Sequence, residues 1–285
     1  MTSTASMMSP TVTAGKLTLR GVSLGGVYTS IHVPELDILL DVGVPLRQAA
    51  AVGTLLLSHA HADHVGALVA LLGLRGLHGV KKPLEVVMPA AIAPTLQRAL
   101  AAMSELQRYD LTIEAIGLEP GDEHQLRRDL WVRAVRTFHP VPSLGYLLVR
   151  RVQKLRAEYA GLPGPEIARR RIAGDDLFVT AEHHELAYVT DTLIQAIDHT
   201  PALAAAQVLV LESTFLDGRK AIEDARAGCH VHLDEIIERA AAFTTPNLVL
   251  MHASQLYRPD EVDPILDARL PADLRARTHA FLPPT

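Results

Sequence analysis

Three imidazoles and a carboxylate fall within six consecutive positions of this chain, His59-Ala60-His61-Ala62-Asp63-His64. The apolar run Gly53-Thr54-Leu55-Leu56-Leu57 precedes them and reads as a buried strand ending at Leu57. The apolar residues 65–72 that follow read as a helix beginning near Asp63. The donors therefore occupy a strand-to-helix loop at the carboxyl end of a strand. Four donors this close repel one another inside a core unless a cation holds them. Neutral imidazole with carboxylate is a zinc-type donor set. The alternative is a solvated loop that happens to be His-rich, which the flanking strand and apolar helix disfavour.

Bulk properties narrow the class. With 285 residues, 48% of them hydrophobic, the chain can bury the core of one domain or at most two small ones. Only 21% of residues are charged, which argues against large-scale disorder. Cys229 is the single cysteine, so no intramolecular disulfide forms. A cytoplasmic location is the expectation. The Ser/Thr-rich start lacks the apolar segment of a secretory signal, and no apolar run approaches the roughly 20 residues that span a bilayer, so no membrane partner is expected. The net charge of −5 speaks against a surface coated in basic residues.

In chain order, residues 1–15 are expected to form a flexible tail and 16–285 one domain. Residues 17–24, 27–33 and 36–41 read as a meander of strands turned at Gly25-Gly26 and Pro34-Glu35. Asp41 at its end is either an acid that orients the histidine loop from behind or a solvated strand-end aspartate. His32 reads as a satisfied or exposed histidine rather than a ligand. A strand at 84–88, a helix at about 90–106 and a β region at 111–116 come next. The strand 130–138 runs out at His139 into a Pro-rich loop, where His139 is placed to complete a ligand set. Ser143 and Tyr146 either line a cleft or shape that turn. The segment 150–176 breaks the β pattern and carries Arg150, Arg151, Lys154, Arg156, Arg169, Arg170 and Arg171, punctuated by Gly and Pro. It reads as a basic excursion, either merely solvated or meeting polyanion phosphates. Further apolar runs end near Asp191, at Glu212 and at His252, and an amphipathic helix is expected at about 233–242. Strand ends along one edge of a layered α/β fold line the ligand crevice. Core packing alone does not place a metal-type donor on five of them.

The run His59-Ala60-His61-Ala62-Asp63-His64 resembles the signature of the metallo-β-lactamase fold superfamily. Together with His139, Pro142-Ser143-Leu144-Gly145-Tyr146, Asp191-Thr192, Glu212-Ser213-Thr214-Phe215, Gly228-Cys229-His230 and His252-Ala253-Ser254, it makes the chain from about Leu17 to Tyr257 resemble the tRNase Z (ribonuclease Z) family. The short forms, including plant-like ones, are the most similar. The resemblance implies an α/β fold, a four-layer αββα sandwich, with two zinc ions per subunit; manganese or iron are the other ions suited to a site with two carboxylates. It implies His59, His61 and His139 on one ion, Asp63, His64 and His252 on the other, and Asp191 bridging. Glu212 and His230 would form the acid–histidine pair that assists the leaving group, with His232 as a nearby competitor. Precursor tRNA is the implied substrate. The implied assembly is a homodimer in which one subunit's arm, here the short segment 150–176, holds tRNA for the other. One position departs from the family's His-x-Ser-x-Arg-Tyr: the chain reads His252-Ala253-Ser254-Gln255-Leu256-Tyr257, so Leu256 replaces the arginine and Arg258 lies two residues on.

The chemistry expected is metal-assisted phosphodiester hydrolysis. Asp63 orients the attacking water and accepts its proton, and His230, kept charged by Glu212, protonates the leaving oxygen. This reading pairs a 3′-hydroxyl product with departure of the trailer's 5′ oxygen. Two other functions compete: a hydrolase of a small phosphodiester, lactone or thioester on the same fold, and a non-catalytic RNA-binding or dimerisation module. The complete ligand set argues against the module.

Overall fold

The computed structural model describes residues 10–282. One seven-stranded sheet runs in sequence order: β1 (Thr11–Ala14), β2 (Leu17–Leu24), β3 (Tyr28–Val33), β4 (Ile38–Leu40), β5 (Thr54–Leu56), β6 (Leu84–Pro89) and β7 (Ile113–Leu118). It is antiparallel from β1 to β4 and parallel from β4 to β7. The second sheet repeats that plan with β8 (Glu123–Arg127), β9 (Leu130–Arg136), β10 (Leu144–Leu155), β11 (Phe178–Val189), β12 (Val208–Glu212), β13 (Leu248–Met251) and β14 (Thr278–Ala280). It is antiparallel from β8 to β11 and parallel from β11 to β14.

Burial alternation explains why the sheets stack and why helices cover them. In β12, Val208 and Val210 face one apolar cluster while Leu209 and Leu211 face another. Val249 and Met251 of β13 join the first cluster, Leu248 and Leu250 the second. The first cluster also takes Ile38, Leu40 and Leu56 of the other sheet, so it is the layer between the sheets. Outside the first sheet, Leu39 and Leu55 pack on the helices Leu68–Leu77 and Ala93–Gln107. Outside the second, Leu209 and Leu250 pack on Leu233–Glu238 and Pro259–Arg269. Three apolar layers separate four layers of secondary structure, an α/β sandwich. Parallel strands buried on both faces read as continuous apolar runs.

Two expectations change. The tail expected over 1–15 lies outside the described residues at 1–9, and its end is a strand: Thr11–Ala14 pairs with β2, because β-branched Thr-Val-Thr suits an edge and Ala14 is buried. The break expected at 150 is also absent. β10 and β11 continue as a hairpin out to the Leu155–Phe178 pair, with the helix Gly164–Ile172 in the connection. Cross-strand ion pairs make that continuation stable: Arg150 pairs with Asp129 and Glu185, and Arg151 with Glu123 and Glu182. Further out, Arg156 pairs with Asp176, and Arg169 and Arg170 with Glu166. Most of the arm's positive charge is therefore already neutralised by the chain's own carboxylates.

Candidate metal centre

The carboxyl ends of parallel strands from both sheets meet at one edge. Asp41 follows β4, the histidine loop follows β5, Asp191 follows β11, Glu212 ends β12 and His252 follows β13. Asp41, Asp191 and His252 all take left-handed backbone, at φ 53°, 41° and 61°. Non-glycine residues there cost roughly 1–3 kcal/mol each, a cost that folds tolerate mainly at functional sites. Gly43 shows how tightly the loops nest: a Cβ there would lie 2.0 Å from the Asp63 carbonyl oxygen.

Asp41 is fully buried and accepts four hydrogen bonds. Ser58 N donates to Oδ1 at 2.7 Å; Ser58 Oγ, His64 Nδ1 and Tyr188 OH donate to Oδ2 at 2.7, 2.7 and 2.6 Å. The Ser58 proton is committed to Asp41, so His59 Nδ1–H must donate to Ser58 Oγ across their 3.0 Å contact. Asp41 thereby fixes His64 directly and His59 through a hydroxyl, leaving both Nε2 atoms bare. The second sheet repeats this device. Buried Glu212 accepts from Thr214 Oγ1 at 2.5 Å and from Thr192 N at 2.7 Å. His252 Nδ1–H then donates to Thr214 Oγ1 at 3.1 Å, and His230 Nδ1 lies 3.2 Å from Glu212 Oε2. Each buried acid serves one histidine directly and one through a hydroxyl, which is how metal-binding imidazoles are oriented.

The bare nitrogens point at Asp191 and Asp63. His252 Nε2 and His64 Nε2 lie 3.3 and 3.4 Å from Asp191 Oδ1, and His59 Nε2 lies 3.8 Å from Oδ2. His64 Nε2 is 3.5 Å from Asp63 Oδ2. Both His64 Nε2 and His252 Nε2 are buried without a hydrogen-bond partner. Lone pairs facing carboxylate oxygens repel unless a cation lies between them. On the other flank, His61 Nδ1 is 3.0 Å from His59 Nε2 and 3.2 Å from His139 Nε2, three nitrogens that one proton cannot satisfy. Three donor groups with metal-binding spacing result: His59, His61, His139 and Asp191; Asp63, His64 and His252; and Asp191, His230 and His252. The first two fit a pair of divalent cations sharing Asp191, and the third overlaps them through His230, whose Nδ1 faces Glu212.

Titration follows the same geometry. Burial, helped by the neighbouring His64, lowers His59 to about 3, so it is a neutral donor. Burial disfavours the Asp63 carboxylate, and positive charge at His252 and His64, or at a cation held between them, outweighs it and keeps the group below the usual range. Burial likewise opposes the His230 imidazolium, and the Glu212 carboxylate beside it raises the group to about 9.

All seven expected ligands converge here, and His230 with Glu212 stands beside them. His232 does not: buried, it caps the helix Leu233–Glu238, accepting from Asp234 N at Nδ1, while Nε2–H donates to the Asp217 carbonyl. Asp41 is the buried orienting acid and not a solvated strand end. Tyr146 is structural, its buried hydroxyl donating to the Leu57 carbonyl at 2.6 Å and so tying one sheet to the other. Ser143 shapes its turn through Thr137, 2.6 Å away, and His32 stays on β3 outside the donor groups. Leu256 is half exposed, and its carbonyl accepts from Arg219, whose charge is shared between Asp217 and Glu261. Sequence reasoning missed Ser58, Thr214 and Tyr188 as orienting groups; the first two adjoin ligands or the buried acid in sequence, which was the available signal.

A model of the beta-lactamase superfamily domain matches residues 38–253. The chain is 36% identical over 265 residues to tRNase Z TRZ1 of Arabidopsis thaliana, covering 92% of this chain and 94% of that one. It is 33% identical over 246 residues to the chloroplastic tRNase Z TRZ2 of the same plant, covering 86% of this chain and 69% of that one. Among solved structures, human tRNase Z, short form, superposes with a TM-score of 0.56 at 18% identity, over 88% of this chain and 92% of that chain. At that identity the likeness speaks for the fold.

Proposed function

We infer the reaction from the family: the chain belongs to the tRNase Z family of the beta-lactamase superfamily. It is a tRNA 3′-processing endoribonuclease, a phosphodiesterase that acts on precursor tRNA. The observation that carries this reading is 36% identity spread over 94% of a tRNase Z, not confined to the histidine loop.

His59, His61 and His139 would hold one zinc ion, Asp63, His64 and His252 the other, with Asp191 between them. Charge supports two ions, because Asp41, Asp63, Asp191 and Glu212 bring four carboxylates into one largely buried cluster. When bound, the ions supply Lewis acidity, lowering the pKa of water and drawing charge from the phosphate oxygens. Asp63, held ionised, orients the attacking water and takes its proton. His230, charged near neutral pH and aligned by Glu212, gives a proton to the leaving oxygen, a role worth about 10²–10⁴ in rate. Atom balance corrects the expected leaving group. Breaking the bond to the trailer's 5′ oxygen would leave phosphate on the tRNA, so a 3′-hydroxyl product requires the 3′ oxygen to leave, and His230 protonates that atom.

The arm 150–176 has seven basic against four acidic residues. With its other arginines paired, Lys154 and Arg171 are the cations best placed to meet tRNA phosphates. A homodimer in the cytoplasm, one arm serving the other subunit's site, is the assembly this reading favours. No helix among the described residues is long and apolar enough to cross a membrane.

The test is cleavage of a precursor tRNA by the wild type and by Asp63→Ala. The wild type releases the 3′ trailer and the variant does not; equal rates refute the mechanism. Hydrolysis of bis(p-nitrophenyl) phosphate or a lactone without any trailer release moves the chain to the small-substrate alternative.

A further inference from the structure

A cavity of about 350 Å³ opens beside the metal centre, and neither the ligands nor the acid–histidine pair uses it. Its walls include Leu24 and Tyr28 from the β2–β3 hairpin, and Ala253, Gln255, Tyr257 and Arg258 from the loop after β13. None of the ligands lines it, but the segment that carries one of them does. Ala253 directly follows the ligand His252, whose backbone N–H donates to Ser23 Oγ at 3.1 Å. Gly25 N–H donates to the Ala253 carbonyl at 3.0 Å, and a Cβ at Gly25 would meet the His252 carbonyl oxygen at 2.9 Å. The hairpin therefore sits against the very segment that carries the ligand.

The lining has two kinds of surface. Leu24 and the Tyr257 ring are apolar and rigid; Tyr257 is held by Arg219 4.5 Å above its ring and by N–H donation from Leu216 to its hydroxyl. Against them stand polar groups with little to do. The hydroxyl of partly buried Tyr28 and the amide of exposed Gln255 have no hydrogen-bond partner among the described residues, and Arg258 forms an ion pair only with Asp260. The aromatic Tyr28, which unlike Tyr257 is not buried, together with apolar Leu24 and free donors and acceptors at the rim, suits a planar heterocycle with polar edges.

We propose that this cavity receives the nucleobase of a nucleotide flanking the scissile phosphate, stacked against Tyr28 with its edge at Gln255. The proposal rests on the RNA-cleaving reading above. It makes Tyr28 a substrate-positioning residue that reads a base face and not a particular base, since every base has such a face. Stacking of this kind changes affinity on the order of tenfold when the aromatic ring is removed.

The experiment couples protein to substrate. Wild type, Tyr28→Leu, Tyr28→Phe and Gln255→Ala are assayed for kcat/KM on precursor tRNAs with intact nucleotides, and on precursors made abasic on one side or the other of the cleaved bond. Tyr28→Leu is expected to lose about tenfold on intact RNA. On one of the two abasic substrates that penalty disappears. Tyr28→Phe retains wild-type cleavage, and Gln255→Ala, a change at an exposed side chain, shows a smaller loss with the same abasic dependence. A penalty that persists undiminished on both abasic substrates, or no penalty at all, overturns the subsite while leaving the nuclease assignment intact. A wild type that cleaves no precursor overturns both.

Discussion

Replacing Asp41 by asparagine isolates the orienting scaffold from the ligands themselves. The backbone there lies at φ 53°, which asparagine tolerates as well as aspartate does, so the exchange adds no strain. It does create a mismatch of donors. Four donors surround the two oxygens, and an amide offers only one acceptor. With its oxygen toward Ser58 Oγ, His64 and Tyr188, its NH₂ faces the Ser58 N–H, and a buried donor on each side goes unpaired. At about 1–3 kcal/mol for each of the two orphaned groups, folding stability falls by roughly 2–6 kcal/mol. His64, and His59 through Ser58, also lose the acid that fixes their protons, and outer partners of this kind are worth about 10–100-fold in metal affinity. Tyr188→Phe is the matched control: it removes a donor together with its proton, leaves Asp41 its other three donors and should cost about 1 kcal/mol with little change in zinc binding. Competition against a chromogenic chelator measures the zinc affinity, and melting with and without zinc measures the stability. Wild-type zinc affinity in Asp41→Asn, or an equal loss in Tyr188→Phe, would refute the relay.

His230→Gln should lower kcat on precursor tRNA by about 10²–10⁴ with zinc content unchanged, yet act weakly on bis(p-nitrophenyl) phosphate, whose leaving group needs no proton; equal losses on both substrates remove the general acid. Arg75 is buried and donates to the carbonyls of Ala50, Val52 and Lys82 at 3.1, 2.5 and 2.9 Å. Arg75→Met strands those carbonyls and should cost about 3 kcal/mol or more in denaturant unfolding without altering zinc content. On the arm, burial works against the Glu123 and Glu182 carboxylates, but Arg151 and Arg133 hold both below the ordinary value of 4.5. Folded values below unfolded ones mean that their stabilisation is present above about pH 4.5 and lost on acidification, so the melting difference between wild type and Glu182→Gln, within about 1 kcal/mol, should vanish at lower pH.

The parts of the fold that could be read from sequence are those where one physical signal dominates. β12 and β13 are buried on both faces, so they appear as uninterrupted apolar runs with a donor at the end. β8, with the sequence Glu-His-Gln-Leu-Arg, is a half-exposed edge strand with no such run, and β14 is three residues long; neither announces itself. Charge hid the outer halves of β10 and β11. Arg150 and Arg151 look like a break until Glu182 and Glu185 are seen opposite them, more than thirty residues away. The same distance effect governs the site. Ligands were legible because they follow strand ends or cluster in the one loop after β5, whereas the Tyr188–Asp41 bond joins positions 147 residues apart and no local pattern encodes it. The choice between His230 and His232 needed the helix cap, which the spacing alone does not define.

Metal analysis and trailer cleavage on one purified sample bear most directly on the convergence of these seven donors. Two zinc ions per chain are expected, with cleavage of precursor tRNA abolished by a chelator and restored by added zinc. Undiminished trailer release from protein stripped to well under one ion per chain would contradict it.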